Sequence, residues 1–234
     1  PHMESAATRM RQHPVVLCLQ DTTELDFNGQ SMAGLGPLSY EAQRGMYLHP
    51  TYVVTPQREP LGVIDAWMWA RRPREADGTR PGITESQRWI EGFERIAEAA
   101  EAMPQTRLVY LADREADMVA LMQRAQAMGP PADWLIRARH NRCLPEGGKL
   151  WAATRAQAPL GEIEFTLASR QGQAERVVRQ RLWAHAVELP APEGDRVRVT
   201  CVIASEIDAP ADGKPIEWRL ITRYGNVETH RIFL

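Results

Sequence analysis

Short apolar runs alternating with polar breaks predict most of the elements. Val15-Val16-Leu17-Cys18-Leu19 is closed by Gln20-Asp21-Thr22-Thr23, the pattern of a buried strand ending in a turn. Met46 to Val54 and Leu61 to Trp69 are β-branched and aromatic runs separated by Thr55-Pro56-Gln57-Arg58-Glu59-Pro60, which predicts a proline-bounded hairpin. Between the first two runs, Gly29, Gly34 and Gly36 mark residues 28–37 as a loop. Trp89, Phe93, Ile96, Ala97 and Ala100 recur at helical spacing behind Thr84-Glu85-Ser86-Gln87, which has the form of a capping box, and Pro104 ends that helix. Arg107 to Ala112 predicts another strand, which Asp113 closes as Asp21 closes the first. Met118, Leu121, Met122 and Ala125 then give a second helix, and Trp134-Leu135-Ile136 a further strand. The order is βββαβαβ.

From about Gly147 the pattern changes to alternation, through Glu162 to Leu167, Arg176 to Trp183, Val197 to Ile203 and Ile216 to Thr222, with Leu189-Pro190-Ala191-Pro192 and Ala209-Pro210 as loops. Pro1-His2-Met3 reads as a cloning scar. The expected organisation is a scar and lead-in at 1–12, an α/β core at 13–145, a mostly β subdomain at 146–222 and an atypical tail at 223–234.

Composition narrows the function. With 44% hydrophobic and 25% charged residues, the 234-residue chain belongs with folded globular proteins. Its 28 Lys+Arg stand against 30 Asp+Glu, a net charge of -2, so any nucleic-acid site must be a local patch. Cys18, Cys143 and Cys201 lack CxxC spacing, which argues against a disulfide framework or structural zinc and for a reducing, cytoplasmic compartment. No apolar run approaches the roughly 18 residues a membrane helix needs. GxSxG, HExxH and P-loop motifs are absent.

The candidate chemistry lies at the strand ends. Asp21 and Asp113 stand alike, each closing an apolar strand run. Each has a purely structural reading, Asp21 as a turn residue and Asp113 as a helix N-cap, with Glu115 and Asp117 complementing the helix dipole. Arg137, Arg139, His140 and Arg142 follow a strand at near-alternate positions and form a cationic stripe suited to phosphate, or else a solvated rim paired with acids. Arg44, His49 and Arg114 are further phosphate candidates. Trp218, within the apolar run Ile216 to Ile221, reads from its surroundings as a core residue.

Three antiparallel strands, a helix, a strand, a helix and a strand, with carboxylates closing the first and fourth strands, is the layout of a ribonuclease H-like fold, a mixed sheet flanked by helices, here carrying an inserted or appended mostly β subdomain. Within it, Gln20-Asp21-Thr22-Thr23-Glu24-Leu25, Arg44-Gly45 with His49, Glu85-Ser86 with Trp89, Ala112-Asp113-Arg114-Glu115-Ala116-Asp117, Trp134 to Arg137 with Arg139-His140, and Pro215 to Leu220 stand in order. Together these resemble the IS4-family transposases, the Tn5-like members in particular, over most of the chain.

That resemblance implies a DDE enzyme of the bacterial cytoplasm. Two aspartates and a glutamate would bind two Mg²⁺ or Mn²⁺ ions that cleave and rejoin double-stranded DNA at transposon ends, within a homodimeric DNA complex. By resemblance Asp21 and Asp113 are the two aspartates, and Trp218 is the tryptophan that receives a flipped base. The family's Tyr-x₂-Arg-x₃-Glu-x₆-Lys signature is missing. With Tyr224 as its tyrosine, Val227 and Arg231 stand where Arg and Glu belong, and Glu228 is out of register. The expectation is therefore a transposase core truncated before its third carboxylate, with little transposition by this polypeptide alone. The alternative is a non-catalytic remnant that binds DNA or a partner.

Overall fold

In a computed structural model, which describes residues 2–129, 131–169, 174–210 and 215–223, the chain divides into two compact units. The first is Pro1–Asp113 with Met128–Asp133, the second Arg114–Ala127 with Trp134–Leu234. The division thus falls at the end of the Asp113 strand rather than near residue 145. Of the tail expected at 223–234, only Arg223 is among the described residues. Each unit is α/β, a sheet flanked by helices, and among the described residues no helix is long and apolar enough to cross a membrane.

The first unit contains α1 (His2–Met10), β1 (Val15–Gln20), β2 (Thr23–Asp26), β3 (Gly36–Pro37), β4 (Arg44–Val54), β5 (Pro60–Trp69), α2 (Glu85–Glu101) and β6 (Arg107–Ala112). Its sheet is mixed: β5 pairs antiparallel with β4, β4 antiparallel with β1, and β1 parallel with β6. Residues 2–10, set aside in the sequence as scar and lead-in, form a helix that packs on β5 and buries Ala6 and Met10. Two short strands also emerge from predicted turn and loop. β2 continues β1 along β4 in one unbroken register, Gln20↔Thr51 before the interruption and Thr23↔Leu48 after it, so Asp21 and Thr22 form a kink in a single long strand.

Helix α2 covers this sheet with the predicted face: Trp89, Gly92, Phe93, Ile96, Ala97 and Ala100 are buried. Phe93 meets Tyr110 of β6 edge-on at 5.6 Å. Burying an aromatic ring of this kind is worth about 2 to 3 kcal/mol. Gly92 is required where α2 crosses the end of β1, because a Cβ there would lie 1.7 Å from the Gln20 Nε2. Both ends of the Gln20 amide are engaged in this layer, the nitrogen donating to Thr51 Oγ1 (3.3 Å) and the oxygen accepting from Tyr110 Oη (2.8 Å). The strand end that carries Asp21 is thereby fixed from behind. Thr84 takes the N-cap position of α2, but its hydroxyl pairs with Ser86 Oγ at 3.0 Å and makes no side-chain cap.

The second unit contains α3 (Val119–Ala127), most of β7 (Asp133–Arg137), α4 (Leu150–Arg155), β8 (Gly161–Leu167), β9 (Arg176–Pro190), β10 (Arg196–Ile207) and β11 (Glu217–Arg223). Its sheet runs β7-β11-β10-β9-β8 and is antiparallel throughout. β9 extends through Leu189-Pro190, where the sequence suggested a loop. Proline is tolerated there as the last residue of the strand, just before the turn. β10 lies centrally, with Val197, Val199, Cys201 and Ile203 fully buried, and α3 and α4 pack against it.

Candidate functional site

Asp21 and Asp113 belong to the first unit. β1 and β6 run parallel with Gln20↔Ala112 as their last paired residues, so each aspartate is the next residue beyond that pair. Parallel strands ending together bring consecutive side chains to one edge. Asp21 is exposed, and its Oδ1 accepts the Thr22 backbone N–H at 2.8 Å. Asp113 is half-buried. Among the described residues no three His, Cys, Asp or Glu side chains gather as a ligand set.

Behind Asp21, the Thr22 hydroxyl shares a 2.7 Å hydrogen bond with His49 Nδ1. His49 is buried, with its ring edge-on to Trp89 at 4.6 Å, and its Nε2 has no hydrogen-bond partner among the described residues. Burial, aided by the nearby Arg88 guanidinium, pushes its pKa down to about 4, so the imidazole is neutral at pH 7. His49, a phosphate candidate in the sequence, therefore faces inward and supports the kink. Arg44 is exposed at the start of β4.

The remaining candidates lie in the second unit. Arg114, Arg137, Ala138, Arg139, Trp151, Glu217, Trp218 and Arg219 line a cavity of about 320 Å³. Arg137 stacks over Trp218, 4.7 Å from the ring centroid, and Arg219 over Trp151 at 3.7 Å. Trp218 is 40% exposed, which removes the core reading of this residue. Among the described residues the guanidiniums of Arg114, Arg137 and Arg139 have no carboxylate partner. Each Arg219 and Arg155, by contrast, pairs with Glu217.

Arg142 and Asp117 differ most from expectation. Asp117, read as a helix-terminus acid, is buried, and its Oδ2 accepts the backbone N–H of Arg139 (2.6 Å) and of His140 (2.9 Å). Its Oδ1 faces Arg142 Nη1 at 2.7 Å, while Arg142 Nη2 donates to the Asp117 carbonyl at 2.9 Å. The carboxylate is neutralised by a segment that folds back over it, not by the turn it belongs to. Arg142 is thus turned inward to hold the stripe, whereas Arg139 and His140 remain exposed.

No known protein-family profile matches the sequence. Over 89% of its length the chain is similar to a solved piggyBac transposase in a synaptic complex with hairpin DNA, at 10% sequence identity and a TM-score of 0.37. It spans 37% of the length of that transposase chain.

Trp151, Arg155, Glu217 and Arg219 were not singled out from sequence. The one local signal is the alternation in Glu217-Trp218-Arg219, which puts Glu217 and Arg219 on the same face of β11. Trp151 and Arg155 come from α4, and nothing in the order of residues announces that meeting.

Proposed function

We propose that the protein is a transposase-type, ribonuclease H-like DNA-processing core that holds a DNA strand in the cavity of its second unit and retains two carboxylates of a metal site in its first. The carrying observation is that three guanidiniums without a carboxylate partner among the described residues, Arg114, Arg137 and Arg139, line one cavity together with two tryptophans. Guanidinium matches phosphate geometry and indole stacks on any base, so the lining suits a nucleotide strand. The order of β1, β4, β5, α2 and β6, with aspartates closing the first and last of these strands, supports the ribonuclease H-like reading.

Asp21 and Asp113 are the residues that would hold Mg²⁺ or Mn²⁺. Asp21 suits this role because only one of its oxygens is engaged, by a single backbone N–H, and because it is open to solvent. A bound ion would supply Lewis-acid stabilisation at the scissile phosphate. The absence of a third carboxylate from the cluster among the described residues favours a second reading, binding without cleavage.

Supercoiled plasmid incubated with Mn²⁺ separates the two. Nicking by the wild-type chain that Asp21→Ala abolishes supports the enzyme core. Plasmid binding without nicking, unchanged by Asp21→Ala, leaves the binding protein. A chain that does neither defeats both.

A further inference from the structure

Among the described residues Glu217 is the one acid lining a cavity whose other walls are arginine, tryptophan and Ala138. From β11 its Oε1 accepts Arg219 Nε at 2.5 Å, and its Oε2 accepts Arg155 Nη2 and the Ser205 hydroxyl, the latter at 3.2 Å. Two guanidiniums and a hydroxyl thus converge on one pair of oxygens. This donor set is not specific to a carboxylate, because a phosphodiester presents two equivalent oxygens and one negative charge to the same fork.

The two arginines do not depend on Glu217 for their positions. Arg219 lies over the Trp151 ring at 3.7 Å and Arg155 over the Trp183 ring at 5.3 Å. The side chains of Arg155, Arg219 and Glu217 are 39%, 34% and 22% exposed. Ion pairs that open to water cost little to break, whereas a fully buried pair would be locked. Arg219 and Glu217 also line the space shared by Arg137 and Arg139.

We propose that Arg155, Arg219 and Ser205 form a second phosphate subsite, which Glu217 occupies in the free protein and which an entering nucleic-acid backbone takes over by displacing the carboxylate. This rests on the reading of the cavity as a nucleic-acid site. Glu217 sets the affinity of that site, since each strand that binds must first replace an internal anion.

The test is Glu217→Gln in the full chain, with a fluorescent single-stranded oligonucleotide titrated at several salt concentrations. The amide keeps the size and one acceptor of the carboxylate but drops its charge. Binding tightens roughly 3- to 10-fold, and the salt slope steepens by about 0.7 as one more phosphate is engaged. A gain of affinity cannot arise from misfolding. Equal or weaker binding by Glu217→Gln overturns the proposal. So does a gain that survives in Arg219→Ala/Glu217→Gln, since that variant lacks an arginine the subsite requires. If the wild-type chain and Arg219→Ala/Glu217→Gln both fail to bind the oligonucleotide while Glu217→Gln binds it, the subsite stands and is fully masked. If no variant binds, the reading of the cavity itself fails, and the subsite with it.

Discussion

The second unit carries arginine on two surfaces that differ in what surrounds it. Along β8, β9 and β10, Arg179 and Arg181 both pair with Glu162, Arg196 and Arg198 both with Glu188, and Arg176 with Glu206. The antiparallel register creates this: Glu162 lies directly opposite Arg181, and Glu188 directly opposite Arg198. At the cavity, Arg137 ends β7 opposite Leu220 of β11 and Arg139 follows it, and among the described residues neither guanidinium has a carboxylate partner. The residue type is the same, but only the second surface has charge to spend on a ligand. A net charge of -2 for the chain hides this, because it sums paired and unpaired groups alike.

The sharpest way to break the contrast is to remove the unpaired charges. Arg137→Ala/Arg139→Ala weakens binding of a single-stranded oligonucleotide roughly 100-fold at fixed salt, since each charge-assisted contact is worth about 1.5 kcal/mol or more. Fluorescence anisotropy measures this directly. A loss of less than about threefold would mean that the cavity does not hold the strand.

The first unit offers the acidic counterpart. Asp21 meets one backbone N–H, while Asp208 in the second unit faces the Arg179 guanidinium at 3.5 Å. Asp21→Asn lowers Mn²⁺ affinity roughly tenfold, as read by paramagnetic resonance of the free ion, and Asp208→Asn leaves it unchanged. Equal responses from the two would show that Asp21 is an ordinary turn residue.

How much of this could be read from sequence depends on how local the cause is. β1, β4, β5, β6 and α2 followed from apolar runs and helical spacing because burial of one face dictates both patterns. β2, reading Thr-Glu-Leu-Asp, and β3, reading Gly-Pro, are held by pairing to β4 and carry no apolar signature of their own. Asp21 and Asp113 were visible as polar residues closing apolar strands. Their common edge follows from the Gln20↔Ala112 register, which only the folded sheet supplies. Asp117 looked like a capping residue because its neighbours in sequence suit that role, while its real partners stand more than twenty residues later. The Arg155–Glu217 pair joins α4 to β11 across 62 positions, a distance over which no periodicity carries information.

The smallest expected effect completes the contrast. Arg181→Ala and Arg198→Ala each remove one positive charge, as Arg137→Ala does, so a strand attracted merely by total charge would bind all three variants equally poorly. Glu162 holds Arg179 as well as Arg181, and Glu188 holds Arg196 as well as Arg198, so each acid keeps a partner after the substitution. Fields from such exposed groups are screened within a Debye length of about 8 Å at physiological salt. Both variants therefore bind the oligonucleotide within about twofold of wild type. A loss from either that approaches the Arg137→Ala value would show that pairing does not decide which arginines act, and that the strand also runs over the β8–β10 surface.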